Sequence, residues 1–195
     1  MLDSTSLSAT RPRSPFHLRD TGLGFSRITI ALHWIVAAIV LAIIALEISL
    51  SIAYSAEQAS VLNLLGAALF PISVYRLWAR VTSVHPLPVG TPDPVEVIVS
   101  RSVAVALALA MVLLPVAAWL YQSAAGEIIA LPGGFFVPAL ISPQAQVASI
   151  VHVLFRICAI AFLGGLALHM FGACKNHFAL KNEALKRMLG KHVEL

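Results

Sequence analysis

Four long apolar runs dominate this chain, at about 28–50, 59–81, 95–121 and 147–173. Crossing a hydrocarbon core of roughly 30 Å takes about 20 residues of helix, so each run is long enough for one span. Inside lipid every backbone N–H and C=O must find its partner within the structure, which leaves the helix as the form an isolated apolar run takes. The 195 residues therefore read as an all-α integral membrane four-helix bundle and not as one soluble domain. Composition agrees, with 59% hydrophobic and 11% charged residues, against about 25% charged in ordinary soluble domains. The first run starts late, is too long for the apolar core of a signal peptide and precedes no small-residue cleavage pattern, so it is expected to stay in the mature protein.

The net charge of +4 would suit a nucleic-acid partner, but the basic residues fall where topology wants them. Arg11, Arg13, Arg19 and Arg27 precede the first run, and Arg76, Arg80 and Arg101 flank the connection between the second and third. Lys175, Lys181, Lys186, Arg187 and Lys191 follow the fourth, and the other two connections hold no Lys or Arg. Cationic loops stay on the cytoplasmic side. Both termini and the middle connection are therefore expected in the cytoplasm, with lipid and not nucleic acid as the surrounding partner.

Residues 1–24, rich in Ser, Thr and Arg, cannot bury a core and read as an N-terminal tail; 176–195 read as a C-terminal one. The transmembrane domain occupies 25–175 between them. The connection carrying Pro86, Pro88, Pro92 and Pro94 is expected to be stiff and extended. The stretch 122–146, with Gly133-Gly134-Phe135-Phe136 and three prolines, is long and apolar enough to lie against the membrane or to cover one mouth of the bundle. Cys158 and Cys174, sixteen residues apart on one helix, are too far apart to bridge and are expected to be inert buried thiols.

Of the seven histidines, only His33 and His169 fall at membrane depth. His17, His85, His177 and His192 lie in tails or connections, and His152 lies at the far end of the fourth run. His33 is six residues past Arg27 and His169 is six before Lys175, which puts both imidazoles about 9 Å inside the same face at 1.5 Å per residue. An intramembrane histidine is costly and calls for a reason. Such a pair suits a haem iron clamped from both sides, a pair of hydrogen-bonded core histidines, or a proton relay. Zinc fits less well, since no Cys, Asp or Glu shares that depth on these helices. Trp34 reads as an interfacial or packing aromatic.

The stretch Phe25-Ser26-Arg27-Ile28-Thr29-Ile30-Ala31-Leu32-His33-Trp34 resembles the start of the bacterial cytochrome b561 family. Further matches keep the order: Gly66, then Tyr75-Arg76-Leu77-Trp78-Ala79-Arg80; Leu114-Pro115-Val116-Ala117-Ala118-Trp119; Leu168-His169 with His177; and Leu185-Lys186-Arg187-Met188-Leu189. That family is a four-helix membrane cytochrome with two b-type haems, passing electrons between quinone and a partner redox protein or complex. The resemblance implies that His33 and His169 ligate the cytoplasmic-side haem, between the first and fourth helices. It also implies exchange with quinone, for which His177 and Lys175 are the candidate contacts to a carbonyl. Arg27, Arg76 and Lys175 are edge cations suited to neutralising haem propionates or to anchoring the topology.

The second haem is a different matter. Its ligands would fall at Leu62 and Phe155, both apolar, and His152 is displaced by three residues with no histidine opposite it on the second helix. One haem b is therefore expected, which leaves roughly 20 Å of helix between it and the far face. The expected function is a quinone-linked electron carrier. A superoxide-to-quinone oxidoreductase and an accessory subunit of a respiratory, dehydrogenase or photosynthetic complex are the alternatives. Beside the vacated position, Arg156 either snorkels outward or pairs with Glu47.

Overall fold

A computed structural model of the chain describes residues 20, 25–83, 93–179 and 184–189. Most of both tails and the proline-rich connection around Pro86, Pro88 and Pro92 lie outside these residues, as do His17, His85 and His192. Four helices are long and apolar enough to cross a membrane: α1 (Arg27–Ile52), α2 (Ala56–Thr82), α3 (Pro94–Ala125) and α4 (Ala145–Cys174). Each contains one of the four apolar runs. After α4 come a π-helical turn, Lys175–Ala179, and a short helix α5, Ala184–Met188, where sequence reasoning placed only a tail. The end of the bundle at which α1 begins and α4 finishes is called proximal below, and the opposite end distal.

Local chemistry sets the helix boundaries. Ser26 begins α1: its Oγ accepts from the Thr29 N–H at 3.1 Å, and its own N–H donates to the Asp20 carboxylate at 2.7 Å. Such a cap is worth about 1 kcal/mol. Ser55 caps α2 through Gln58, so the distal turn between α1 and α2 takes only three residues. Asp93 caps α3 at the Val95 N–H, 2.7 Å away. Pro94 follows in the first turn, where its missing N–H costs nothing. Helix α3 closes on Gly126 at φ +77°, a left-handed stop that suits glycine.

Neighbours in sequence are neighbours in space, with α1 on α2, α2 on α3 and, most extensively, α3 on α4. Val36, Val40 and Leu69 form the buried centre, and Met111, Phe162 and Leu166 bring α3 and α4 onto it. Elsewhere the helices turn large apolar side chains outward, such as Ile48, Leu113, Ile157 and Phe171, as a lipid-facing surface must. Cys158 and Cys174 are exposed on α4 and not buried; the apolar run gave no sign of which face met lipid. Arg156 and Glu47 are exposed as well, and among the described residues they form no ion pair with each other, against the pairing alternative.

At the distal end, strands β1 (Ile129–Ala130) and β2 (Phe136–Val137) form a small antiparallel hairpin with Ile129 opposite Val137 and Ala130 opposite Phe136. Its turn runs through Gly133 and Gly134, both at φ near +80°, a region glycine enters without steric cost. The hairpin is tied to the helices: the Asn63 amide donates to the Ala130 carbonyl, the Trp119 indole to the Pro138 carbonyl, and the Leu140 N–H to the Ser123 hydroxyl. With Ile129 buried, the stretch 122–146 covers the distal parts of α2 and α3.

Candidate functional site

His33 on α1 and His169 on α4 face each other with ring centres 6.3 Å apart and planes at 60°. Two imidazoles bonded through nitrogen to one metal, at about 2 Å per bond, place their ring centres about 6 Å apart on opposite sides of it. The observed spacing therefore fits a single shared metal. Among the described residues no group of three or more His, Cys, Asp or Glu is placed to hold a metal ion, so the four-ligand shell that structural zinc prefers is not assembled.

The pair borders a cavity of about 1000 Å³, the upper end of the range of roughly 300–1000 Å³ for small-molecule and cofactor sites. Its walls are apolar, with Val36, Val40, Leu107 and Phe162 contributed by three helices. Among the polar groups that border it are three from α2, Ser73, Arg76 and Arg80. Spacings of three and four residues put these side chains on one face of the helix, a pattern readable from sequence that would have added Ser73 and Arg80 to the candidates. The Arg76 Nη2 lies 3.3 Å from His33 Nδ1. Ser73 is 2% exposed and its hydroxyl has no partner among the described residues. A buried hydroxyl left without a partner costs about 1–3 kcal/mol, so Ser73 marks a place where an occupant or water completes the site.

The segment after α4 closes the proximal mouth. Leu185 and Met188 border the cavity, and the Met188 carbonyl accepts from the Trp34 indole N–H at 2.9 Å. Trp34 also meets His33 edge-on, with ring centres 5.6 Å apart. π-helical turns are rare and frequent at functional sites; this one extends α4 directly, through Lys175–Ala179. The remaining expected site residues fall outside the lining. Arg27 sits exposed at the first position of α1, Lys175 pairs with Glu96 at 3.2 Å, and His177 meets Phe178 edge-on.

The distal half is built differently. Leu62 and Phe155 are half-buried in α2 and α4. His152 is exposed and stacks on Tyr121, rings 5.0 Å apart. Polar side chains there satisfy one another, Gln122 with Asn63 and Ser49 with Gln58.

A lipid-spanning four-helix bundle with two imidazoles opposed across an apolar cavity is the architecture of a membrane b-type cytochrome. The chain matches the family described as prokaryotic cytochrome b561 over residues 24–191, and it belongs to that family. It is also similar to cytochrome b561 homolog 2 of Escherichia coli (strain K12), 30% identical over 169 residues that cover 84% of this chain and 90% of that protein. Membership implies a b-type haem and a part in electron transfer, in a multi-pass membrane protein.

Proposed function

We propose that this protein carries electrons through one haem b, held by His33 and His169 and exchanging electrons with the quinone pool or a partner redox complex. The observation that carries this reading is the opposition of the two imidazoles at 6.3 Å across the cavity. Bound there, haem supplies one-electron chemistry at its iron. Held by both imidazoles, the iron would keep no open coordination position, which would suit electron transfer and not oxygen activation.

The other side chains have roles that follow from position. A guanidinium only donates, so Nδ1 of His33 accepts from Arg76 in the arrangement seen, and the ring proton sits on Nε2. Imidazoles that bind metal through one nitrogen ordinarily donate from the other. Committing Nε2 of His33 to iron therefore requires Arg76 to release Nδ1 and to turn toward other acceptors. Arg76 and Arg80, together on the cavity side of α2, are matched to the two carboxylates of haem b; Arg27 and Lys175 provide cations farther out. Lys175 and His177 are the groups we assign to a quinone carbonyl at the proximal surface. Electrons are exchanged at this end, because the distal half carries apolar side chains at the second pair of ligand positions. The distribution of Lys and Arg supports an inner-membrane location with both termini cytoplasmic.

Reduced-minus-oxidised spectra of the purified chain test the reading. A low-spin b-type band that appears on addition of a quinol analogue is expected. Full haem loading with no response to any quinol or reduced partner would overturn the electron-exchange role.

A further inference from the structure

The distal hairpin is two-faced. Residues paired across an antiparallel ladder share a face and alternate along each strand, so Ile129 and Val137 point one way while Ile128, Ala130 and Phe136 point the other. The first face is packed, with Ile129 only 6% exposed. The second is bare: Ile128 is 82% exposed and Phe136 71%. Two large apolar side chains turned the same way on so short an element, with Phe135 also exposed at the turn, present the kind of surface that ordinarily marks a contact.

Depth says what that surface meets. Asn63, which holds the Ala130 carbonyl at 3.0 Å, is seven residues inside the distal end of α2, about 10 Å along the helix axis. Trp119, which holds the Pro138 carbonyl at 2.9 Å, is six residues inside the distal end of α3, about 9 Å. Both helices are longer than a hydrocarbon core of roughly 30 Å requires, at 27 and 32 residues. The hairpin thus does not ride above the bundle. It hangs beside the helix ends at the level where membranes collect Trp and other aromatic anchors. Its bare face continues the lipid-facing surface of the spans, and Glu127 is the sole charged residue in 122–146.

We propose that Ile128 and Phe136 are seated in the boundary between headgroups and acyl chains of the distal leaflet, making the hairpin an interfacial lipid anchor. Because the contact is apolar, it is indifferent to headgroup charge and to salt. The three tethers to α2 and α3 hold the hairpin at a fixed height, so the anchor sets the depth and tilt of those two helices in the bilayer.

The test uses the full chain with Cys158→Ala and Cys174→Ala, carrying Phe136→Cys labelled with a nitroxide, in phosphatidylcholine vesicles. Power-saturation measurements compare relaxation by oxygen, which partitions into lipid, with relaxation by a water-soluble nickel chelate. Oxygen is expected to exceed nickel several-fold, approaching the ratio for Leu113→Cys on the lipid face of α3, with no change when half the lipid is phosphatidylglycerol or when salt is raised. A label relaxed by nickel as strongly as by oxygen would place the patch in water and overturn the proposal. Shelter from both reagents would also overturn it, in favour of a protein covering the patch. If Phe136→Cys fails to fold, Ile128→Cys gives the same reading from the neighbouring strand.

Discussion

The same four helices build two unlike ends. In the proximal half, helices α1 and α4 stand on either side of a cavity of about 1000 Å³ with one imidazole on each, and α2 supplies two guanidinium groups. In the distal half, half-buried Leu62 and Phe155 stand where the resemblance implies the ligands of a second haem. Gln122, Asn63, Gln58 and Ser49 are spent on one another, and a hairpin packs against α2 and α3. On the proposed reading, a cofactor site in a helical bundle needs two things at once, ligands at one depth and unfilled volume between them. Protein interiors otherwise close to the density of organic crystals.

The strongest way to break the contrast is to remove a proximal ligand. His33→Ala and His169→Ala are each expected to weaken haem binding by at least about 100-fold, beyond the 10–100-fold usual for loss of an outer-shell partner. His152→Ala is expected to leave haem content unchanged, because that ring is engaged with Tyr121 at the other end. Haem per protein after purification checks both. Retention by His33→Ala with loss in His152→Ala would exchange the roles of the two halves.

Giving the distal half the missing ligands asks whether its volume is closed as well. Leu62→His with Phe155→His is expected to recruit no stoichiometric second haem. It should also cost about 1–3 kcal/mol for each imidazole left unpaired in an apolar setting, read as a fall in thermal or denaturant midpoint. A stable double variant with a full second haem would show that only ligands separate the halves.

Two smaller substitutions sharpen the proximal account. Arg76→Gln removes the group that touches His33 and one of two cations on the cavity side of α2, and haem affinity is expected to drop by about 10–100-fold. Competition for haem with an apo-globin measures it. Trp34→Phe removes one hydrogen bond, to the Met188 carbonyl, a loss of about 0.5–1.5 kcal/mol. Faster amide exchange in α5 with little change in the rest of the bundle is the expected result.

The bundle was legible because its signal is one-dimensional: a run of about 20 apolar residues in lipid has one backbone solution, and Ser26, Ser55 and Pro94 mark helix starts by rules that hold locally. The histidine pair was legible too, since depth can be counted from the flanking Arg27 and Lys175. What was missed depends on which faces meet. Nothing in an apolar run says that Cys158 and Cys174 point outward. No periodicity announces a five-residue helix such as α5, which receives a hydrogen bond from Trp34 on a distant helix. Ser73 and Arg80 belonged to a readable α2 face with Arg76, yet a lone serine in an apolar helix carries no signal until the space beside it is seen. The hairpin was recognised as an apolar loop, but its two faces emerged only with the register that sets Ile129 inward and Phe136 outward.

The difference between the two halves comes down to stoichiometry. A pyridine haemochrome assay on the purified chain, set against protein concentration from amino-acid analysis, is expected to return one haem b per polypeptide, with His33 and His169 as its ligands. A ratio near two would contradict the account by showing that the distal half binds haem without histidines at positions 62 and 155, and a ratio near zero would contradict it by showing that the proximal cavity serves another purpose.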